Sequence, residues 1–280
     1  MLINEIQVND YLTKSNLPSS DYVINPYVGC PHGCKYCYAS FMKRFTGHKE
    51  EWGTFVDVKK CDKKINLQKI ENKSVFLSSV TDCYNFCEEK YQITRNILKQ
   101  LINSKCYLSI STKSKLILRD VDLLKHINNV TVSMSINTLN ENFRKDMDNA
   151  STIEERLDTL KKLHENKIHT VLFMSPIFPY ITEWKEIIDK SKEFIDEYWF
   201  ENLNLRGQYK ISILNYIKEV YPQYYNDYAE IYIKGNKQYW CNLAKSINQY
   251  CDGNNIKYIN YFYHDELVKR KLNKDVKGGI

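Results

Sequence analysis

The sequence predicts an α/β protein whose buried parallel strands alternate with helices. Short apolar runs of strand length recur along the chain, and segments with apolar residues three and four positions apart follow them. Strands that are apolar on both faces pair in parallel, with helices packed outside. Six such units are too few to close an eight-stranded barrel. The predicted fold is therefore a partial (β/α)6 TIM-type barrel with a small C-terminal α+β cap.

Local patterns place each element along the chain. Val75 to Val80 is a nearly continuous apolar run, whereas segment 152–165 begins with a Ser151/Thr152 cap and acidic residues in its first turn, as helices do. The predicted strands are 22–25, 75–80, 107–112, 130–136, 170–174 and 199–205, and the predicted helices are 39–45, 88–103, 120–127, 152–165, 184–194 and 211–220.

Three parts are predicted along the chain. Residues 1–20 form an irregular lead-in that ends in a turn, and residues 21–220 form the barrel. Residues 221–280 form the cap and a basic tail. Within the cap, the tyrosine-rich stretch 221–236 indicates a loop or hairpin. A helix over 237–250 and a strand over 257–262 are expected to cover the open side of the barrel.

Composition is that of a soluble globular protein, with 43% hydrophobic and 26% charged residues. No apolar run approaches the ~20 residues that span a bilayer. The N-terminus lacks the pattern of a signal peptide, so we expect a cytoplasmic protein without a membrane segment. In that compartment the nine cysteines are ligands, catalysts or core residues rather than disulfides. The net charge of +6 is compatible with a polyanionic partner but does not indicate one.

The most informative stretch is Cys30-Pro31-His32-Gly33-Cys34-Lys35-Tyr36-Cys37. Three thiols at C-x3-C-x2-C spacing can ligate three corners of an iron–sulfur cube and leave the fourth iron open. The alternative is a zinc site with His32 or His48 as the fourth ligand. Structural zinc usually draws on two paired knuckles, and no second C-x2-C occurs in the chain. The spacing therefore favours a [4Fe-4S] cluster on Cys30, Cys34 and Cys37.

This motif resembles that of the radical S-adenosylmethionine (radical SAM) superfamily. The short sequence motifs that surround it resemble those of the spore photoproduct lyase-like family, also called DNA repair photolyase-like. The resemblance implies reductive cleavage of S-adenosylmethionine to methionine and a 5′-deoxyadenosyl radical, with electrons from a donor such as flavodoxin or ferredoxin. The short motifs that carry this resemblance are Asn25-Pro26-Tyr27, Cys37-Tyr38-Ala39, Thr81-Asp82, Thr112-Lys113, Ser135-Ile136-Asn137, Glu155-Arg156 and Ser175-Pro176.

Small polar residues and one lysine follow the predicted strands, where barrels of this type carry their sites. Lys113 is the candidate partner of the cofactor carboxylate, unless it is a solvated surface lysine. The resemblance adds four cofactor contacts and places Tyr38 along the cofactor. Each contact could instead satisfy a strand end or a helix cap. The four are Thr81, Ser135, Asn137 and Ser175.

Hydrogen-atom transfer is where the chain departs from the family. Tyr36 and Tyr38 correspond to tyrosines that relay a hydrogen atom in spore photoproduct lyase, although both could merely pack on the loop. The lyase's cysteine donor is replaced by Ser79, whose O–H is a much poorer donor. Cys83 is the candidate substitute, in a loop expected at the mouth of the barrel. It could also be an inert small residue, or a second-metal ligand with Cys87, Cys241 and Cys251.

Three functional hypotheses follow. The first is radical chemistry on a nucleic acid or nucleotide. The second is modification of a peptide or small metabolite on the same scaffold, and the third is a zinc-bound nucleic-acid-binding protein without turnover. Only 29 residues precede Cys30, fewer than in the lyase, so DNA contacts of that region are expected to be missing or replaced. Arg206 and the tyrosine-rich stretch are candidate replacements. The sequence does not indicate an oligomeric state.

Overall fold

The computed structural model describes residues 1–17 and 19–262, without the side chain of Gln208. The strands are β1 (Leu2–Gln7), β2 (Leu12–Lys14), β3 (Tyr22–Ile24), β4 (Tyr27–Val28), β5 (Phe55–Lys60), β6 (Ser74–Leu77), β7 (Tyr107–Thr112), β8 (Val130–Ser135), β9 (His169–Ile177), β10 (Glu197–Asn202) and β11 (Tyr258–Asn260). The α-helices are α1 (Leu67–Ile70), α2 (Cys87–Tyr91), α3 (Ile93–Leu101), α4 (Val121–Leu124), α5 (Glu141–Met147), α6 (Ile153–Glu165), α7 (Trp184–Ser191), α8 (Gly207–Val220), α9 (Tyr225–Tyr232) and α10 (Gln238–Gly253). Three 3₁₀ helices cover Tyr38–Phe45, Lys115–Asp120 and Pro222–Tyr224.

An eight-stranded sheet, in the order β11-β10-β9-β8-β7-β6-β3-β2, forms the body of the protein. Strands β3 and β6 to β11 run parallel, and β2 pairs antiparallel with β3. The edge strands β2 and β11 are not paired with each other in the described part of the chain, so the sheet stays open. Six of its parallel strands are those of the predicted β/α units. The predicted partial barrel is confirmed.

The alternation of side chains on the strands separates the core from the site. On β10, Tyr198 and Phe200 are buried, and the Tyr198 hydroxyl lies 2.8 Å from the Ser191 hydroxyl of α7. Trp199 and Glu201 point to the opposite face because successive side chains alternate. Polar residues can therefore collect at the carboxyl ends of the strands without disturbing the apolar layer under the helices.

The prediction of an irregular lead-in over residues 1–20 is wrong. Strand β1 pairs in parallel with β5, and β4 pairs antiparallel with β5, which makes a second, three-stranded sheet. Strand β2 belongs to the main sheet. The partner of β1 lies about 50 residues away, and a strand with the composition Leu-Ile-Asn-Glu-Ile-Gln gains its pairing only from that distant partner.

The cap differs from its prediction in two ways. Residues 221–236 contain a 3₁₀ turn and helix α9 instead of a hairpin, because Tyr228 and Ile231 lie three positions apart and are both buried. Strand β11 extends the main sheet beside β10 rather than covering its open side. The predicted basic tail, 266–280, lies outside the described residues. No described helix is both long and apolar enough to cross a membrane.

A buried carboxylate divides the helix predicted over 88–103 into α2 and α3. Glu88 is fully buried and accepts hydrogen bonds from the backbone N–H groups of Thr94 and Arg95, at 2.9 and 3.2 Å. Gln92 between the two helices adopts a left-handed φ of 50°. The other partners of Glu88 are the Tyr27 hydroxyl at 2.5 Å and the Arg119 guanidinium at 2.7 Å. This carboxylate therefore joins the start of α3 to the segment that leads into the cysteines.

We expect Glu88→Gln to lower the free energy of unfolding by about 2–3 kcal/mol, because the half-buried Arg119 loses one charged partner and several buried donors lose a charged acceptor. Urea denaturation followed by circular dichroism measures this change. Glu89→Gln, at the exposed neighbouring position, is the matched control and should stay within about 0.5 kcal/mol of wild type. Equal stability of the two variants would contradict the assignment.

Candidate iron–sulfur and cofactor site

The cysteine loop is shaped by two glycines and packs on β5. Gly29 has a φ of 83°, and a Cβ at this position would lie 2.3 Å from the Phe55 carbonyl oxygen. Gly33 also has a positive φ, 58°, within the cysteine motif itself. The backbone N–H groups of Gly33 and Cys37 donate to the carbonyls of Cys30 and Cys34, at 3.3 and 3.0 Å. The chain therefore folds into two successive turns that carry all three thiols.

The three cysteine thiols of this loop share one largely buried environment. Cys30, Cys34 and Cys37 are free and half-buried. Burial raises the pKa of Cys30 well above its usual value, and the charges of Asp82, Cys34 and Cys37 raise it further. Within residues 1–17 and 19–262, no three Cys, His, Asp or Glu side chains converge on a point where one metal ion would fit.

Each histidine proposed as a zinc ligand has a carboxylate partner. His32 Nε2 lies 3.0 Å from the Asp82 carboxylate, and His48 Nε2 lies 3.0 Å from that of Asp57. Among the described residues, neither histidine forms a metal-binding group together with the three thiols.

Asp82 links the cysteine loop to the ends of two strands. Besides His32, this buried carboxylate accepts the Thr112 hydroxyl at 2.8 Å and the backbone N–H groups of Tyr84 and Lys113, each at 2.8 Å. Burial alone would raise the pKa of Asp82, but the His32 imidazole and these hydrogen bonds outweigh it and lower the pKa. Asp82 is therefore an ionised anchor below the loop, a role that the sequence analysis missed.

Lys113 lies between the thiols and the end of β7. Its ammonium donates to the Tyr36 hydroxyl at 3.1 Å and sits 5.4 Å from the centre of that ring. Burial raises the pKa of Cys34 to about 12, and the charge on Lys113 partly offsets this effect. Burial also raises the pKa of Cys37, again with Lys113 acting in the opposite direction. The lysine charge is thus within electrostatic reach of two ligand sulfurs.

A buried ion pair supports Tyr36 from below. The Tyr36 hydroxyl donates to Asp148 Oδ2 at 3.3 Å, and Asp148 Oδ1 accepts Arg156 Nη2 at 2.6 Å. Arg156 Nη1 donates to the Ser135 carbonyl at 3.1 Å. The sequence pattern around Asp148 carries no signal for this role. The sequence analysis included Arg156 only as part of the Glu155-Arg156 motif and gave it no role of its own.

The remaining predicted cofactor residues lie at or just beyond the ends of β6, β8 and β9. Ser135 is the last residue of β8 and is buried. Thr81 donates to the Gly29 carbonyl at 2.6 Å, and Asn137 donates to the Pro176 carbonyl at 3.1 Å. The Ser175 hydroxyl donates to Glu201, which sequence reasoning also missed.

The two predicted relay tyrosines occupy different environments. Tyr36 is 8% exposed and packs edge-to-face on Phe178, with 5.4 Å between ring centroids. Tyr38 is 57% exposed, and its hydroxyl donates to the Ser79 carbonyl. Only Tyr38 therefore presents its ring to the mouth of the barrel.

The expected position of Cys83 at the barrel mouth is wrong. Its side chain has no exposed surface, and its backbone is held by the Ser78 and Thr94 hydroxyls, at 2.7 and 2.6 Å. The loop after β6 turns inward here because Asp82 and Asn85 satisfy its backbone groups within the core. In this conformation the thiol cannot touch a substrate. Cys87 and Cys251 are also buried, and Cys241 is exposed.

The family model described as the Radical SAM superfamily matches residues 24–190, which include the three cysteines and strands β6 to β9. This chain belongs to the radical SAM superfamily. An uncharacterised protein of Methanocaldococcus jannaschii is 38% identical over 224 residues, covering 80% of this chain and 85% of that protein. An uncharacterised Mycobacterium tuberculosis protein is 24% identical over 230 residues, covering 76% and 68%.

Two solved radical SAM proteins share the fold. A spore photoproduct lyase variant with bound S-adenosylmethionine and dinucleoside spore photoproduct has a TM-score of 0.58 at 16% identity, covering 79% of this chain and 66% of its own. Streptococcus suis SuiB bound to S-adenosylmethionine has a TM-score of 0.51 at 15% identity, covering 85% and 49%. This chain is thus an enzyme that uses a [4Fe-4S] cluster and S-adenosylmethionine, the cofactors of its family.

We expect alanine at Cys30, Cys34 or Cys37 to abolish assembly of the cluster, because three thiolates are the whole predicted ligand set. Iron and sulfide content after anaerobic reconstitution, with the visible absorbance of the cluster, measures the loss. Cys61→Ala, a half-buried cysteine elsewhere, is the control and should assemble a full cluster. A full cluster in any of the three variants would refute the ligand assignment.

We expect Cys83→Ala to leave cluster assembly and cofactor cleavage unchanged and to lower the free energy of unfolding by about 1 kcal/mol, because it removes one buried atom from the core. Denaturation midpoints measure the stability, and Cys241→Ala at the surface should show no change. If Cys83→Ala is as stable as wild type and forms altered products, Cys83 belongs to the active site.

Proposed function

We propose that this enzyme binds S-adenosylmethionine with Lys113 on the cofactor carboxylate and carries out radical chemistry on a nucleic acid or nucleotide. The observation that supports the first part most directly is the contact of the Lys113 ammonium with the hydroxyl of Tyr36, a residue of the cysteine motif, at 3.1 Å. The methionine end of the cofactor belongs at the open iron, so its carboxylate needs a cation at this point. The cluster, when reduced, supplies the electron that cleaves the cofactor to methionine and a 5′-deoxyadenosyl radical.

The hydrogen-bonding capacity of Lys113 suits this role. An ammonium has three donors, and the Tyr36 hydroxyl uses one of them. The remaining two can face a carboxylate. Because Tyr36 is held by Asp148, the lysine keeps a defined direction before the cofactor arrives. Preorganisation of this kind lowers the ordering cost of binding.

Four polar side chains complete the proposed cofactor site. They come from the carboxyl-terminal parts of β8 and β9 and from the loop after β6, all in the same parallel sheet. Thr81 and Asn137 donate to backbone carbonyls and Ser175 donates to a carboxylate, and each of these groups keeps further hydrogen-bonding capacity. The four are Thr81, Ser135, Asn137 and Ser175.

The proposed substrate class is supported by fold similarity and by the resemblance of the motifs to the spore photoproduct lyase-like family. The lyase structure that matches this chain contains a dinucleoside spore photoproduct. Radical modification of a peptide or a small metabolite is the competing hypothesis on the same fold. Detection of 5′-deoxyadenosine that depends on added nucleic acid, after reduction with dithionite, supports our proposal. Equal release with and without nucleic acid would argue against it.

The proposed hydrogen-atom relay uses Tyr38. Its ring is exposed at the mouth, next to Ser79, which occupies the position of the lyase's cysteine donor. We assign Tyr36 a positioning role instead, because it is buried between Lys113 and Phe178. The reaction also needs an electron donor, and we propose flavodoxin or ferredoxin. An oxygen-sensitive cluster and nine free cysteines support a reducing, cytoplasmic setting.

We expect Lys113→Ala to leave the cluster intact but to weaken binding of S-adenosylmethionine about ten- to a hundredfold, because a charged partner of a carboxylate contributes about 1.5–3 kcal/mol. Equilibrium dialysis on the reconstituted enzyme measures the dissociation constant.

Two further variants separate charge from packing at this position. Lys113→Met keeps a long unbranched side chain without the charge and should bind as weakly as Lys113→Ala. Lys125→Ala, at an exposed position after α4, should bind like wild type. An unchanged dissociation constant in Lys113→Ala would remove this residue from the cofactor site.

A further inference from the structure

The segment that follows the third cysteine exposes aromatic rings and positive charge together. Phe41 and Phe45 are 45% and 66% exposed, and the Arg44 guanidinium lies 5.5 and 4.6 Å from the centres of their rings. Exposed large apolar side chains that adjoin each other mark contact surfaces rather than core. We call the exposed residues Tyr38, Phe41, Arg44 and Phe45 the rim.

Charge in this segment is one-sided. Residues 35–49 contain four cations and no acidic residue, within a chain whose net charge is +6. None of the four forms an ion pair with another described residue, and Lys43 bonds only the Lys49 carbonyl, at 3.1 Å. None of these four side chains therefore contacts a carboxylate of the described residues directly, although Glu50 and Glu51 follow the segment in the sequence. The four cations are Lys35, Lys43, Arg44 and Lys49.

The rim begins at the candidate active site. In a 3₁₀ helix, residues three positions apart lie above one another, so Tyr38, Phe41 and Arg44 form one row. The first member of this row bonds the Ser79 carbonyl at the mouth of the barrel. The row thus leads from the proposed relay tyrosine to the surface, along the path of a substrate too large for the barrel.

We propose that the rim binds a single-stranded or locally unpaired nucleic acid, with bases on Phe41 and Phe45 and a phosphate on Arg44. This inference rests on the proposed function and adds the surface that receives the substrate. Every base has a π face that can stack on an aromatic side chain, and every nucleotide carries a phosphate, so a strand matches both features of the rim. An acidic electron-transfer protein matches the charge, but it has no need of a row that starts at the active-site mouth.

The test uses the reconstituted full-length enzyme and a short fluorescein-labelled oligodeoxythymidylate, with fluorescence anisotropy as the readout. Phe45→Ala should weaken binding about five- to a hundredfold, because one stacked base contributes about 1–3 kcal/mol. Arg44→Glu should weaken binding at least about tenfold and lower the slope of log K against log salt by about 1. Phe41→Ala should resemble Phe45→Ala.

Matched controls lie outside the rim. Tyr107→Ala removes an exposed ring at the opposite end of the strands, and Lys161→Glu reverses an exposed charge on α6. Both should bind like wild type. If Lys161→Glu weakens binding as much as Arg44→Glu, overall charge explains the effect and the rim is refuted. Cluster absorbance of every variant shows that the fold and the neighbouring loop are preserved.

Three further outcomes separate the hypotheses. Wild-type enzyme that does not bind the oligonucleotide at low salt would overturn the proposed substrate class itself. Wild-type binding that all three rim variants retain would overturn the rim alone. In the third outcome, Arg44→Glu binds the oligonucleotide normally, but its cluster is reduced slowly by flavodoxin and at the normal rate by dithionite. This result would identify the rim as the electron-donor surface and overturn our assignment.

Discussion

Three buried carboxylates hold the cysteine loop against the barrel, and the geometry of the site depends on them. Glu88 accepts the Tyr27 hydroxyl before the cysteines, Asp82 pairs with His32 between them, and Asp148 accepts the Tyr36 hydroxyl near the end. The loop is thus fixed at its start, middle and end. Fixing the backbone costs about 1–2 kcal/mol per residue, so a glycine-containing loop needs such anchors to hold three thiols in register.

Burial of these carboxylates costs free energy unless each has a hydrogen-bonded partner. Several of these partners lie on or beside the strands, so the carboxylates connect the cysteine loop to the sheet. Asp148 is neutralised by Arg156, which also holds the carbonyl of Ser135 at the end of β8. Asp82 takes up donors from Thr112 and Lys113 at the end of β7. A buried ion pair contributes little net stability, but its fixed geometry transmits position between elements. The same contacts that hold the loop therefore also hold two of the proposed cofactor residues.

The chain shares the fold of spore photoproduct lyase, and we propose that it differs in the hydrogen-transfer groups. The sequence resemblance places Ser79 where the lyase has a cysteine, and the nearest sequence alternative, Cys83, is buried in the core. Tyr38 is the group that both approaches the Ser79 position and remains exposed. The chemistry after cofactor cleavage is thus expected to depend on tyrosine and on the substrate held at the rim.

Local pattern was sufficient for the scaffold and predicts the metal ligands. Apolar runs place the parallel strands, because burial on both faces leaves a signal in consecutive residues, and the Thr152 cap and Glu155 give the start of α6. The C-x3-C-x2-C spacing predicts the cluster ligands because all three lie in one short loop. Strand β1 and helix α9 escaped prediction, since the first depends on a distant strand and the second on packing of its tyrosines.

Burial and long-range pairing were decided only by the tertiary structure. Nothing near Asp148 distinguishes it from a surface aspartate, because its partners Tyr36 and Arg156 come from other elements. Cys83 looked accessible because loops usually are, whereas the side chains around it turn this loop inward. A sequence specifies which groups are present within a few residues of each other. Which of them lose water, and which charge they then face, is determined by the packing of segments far apart in the chain.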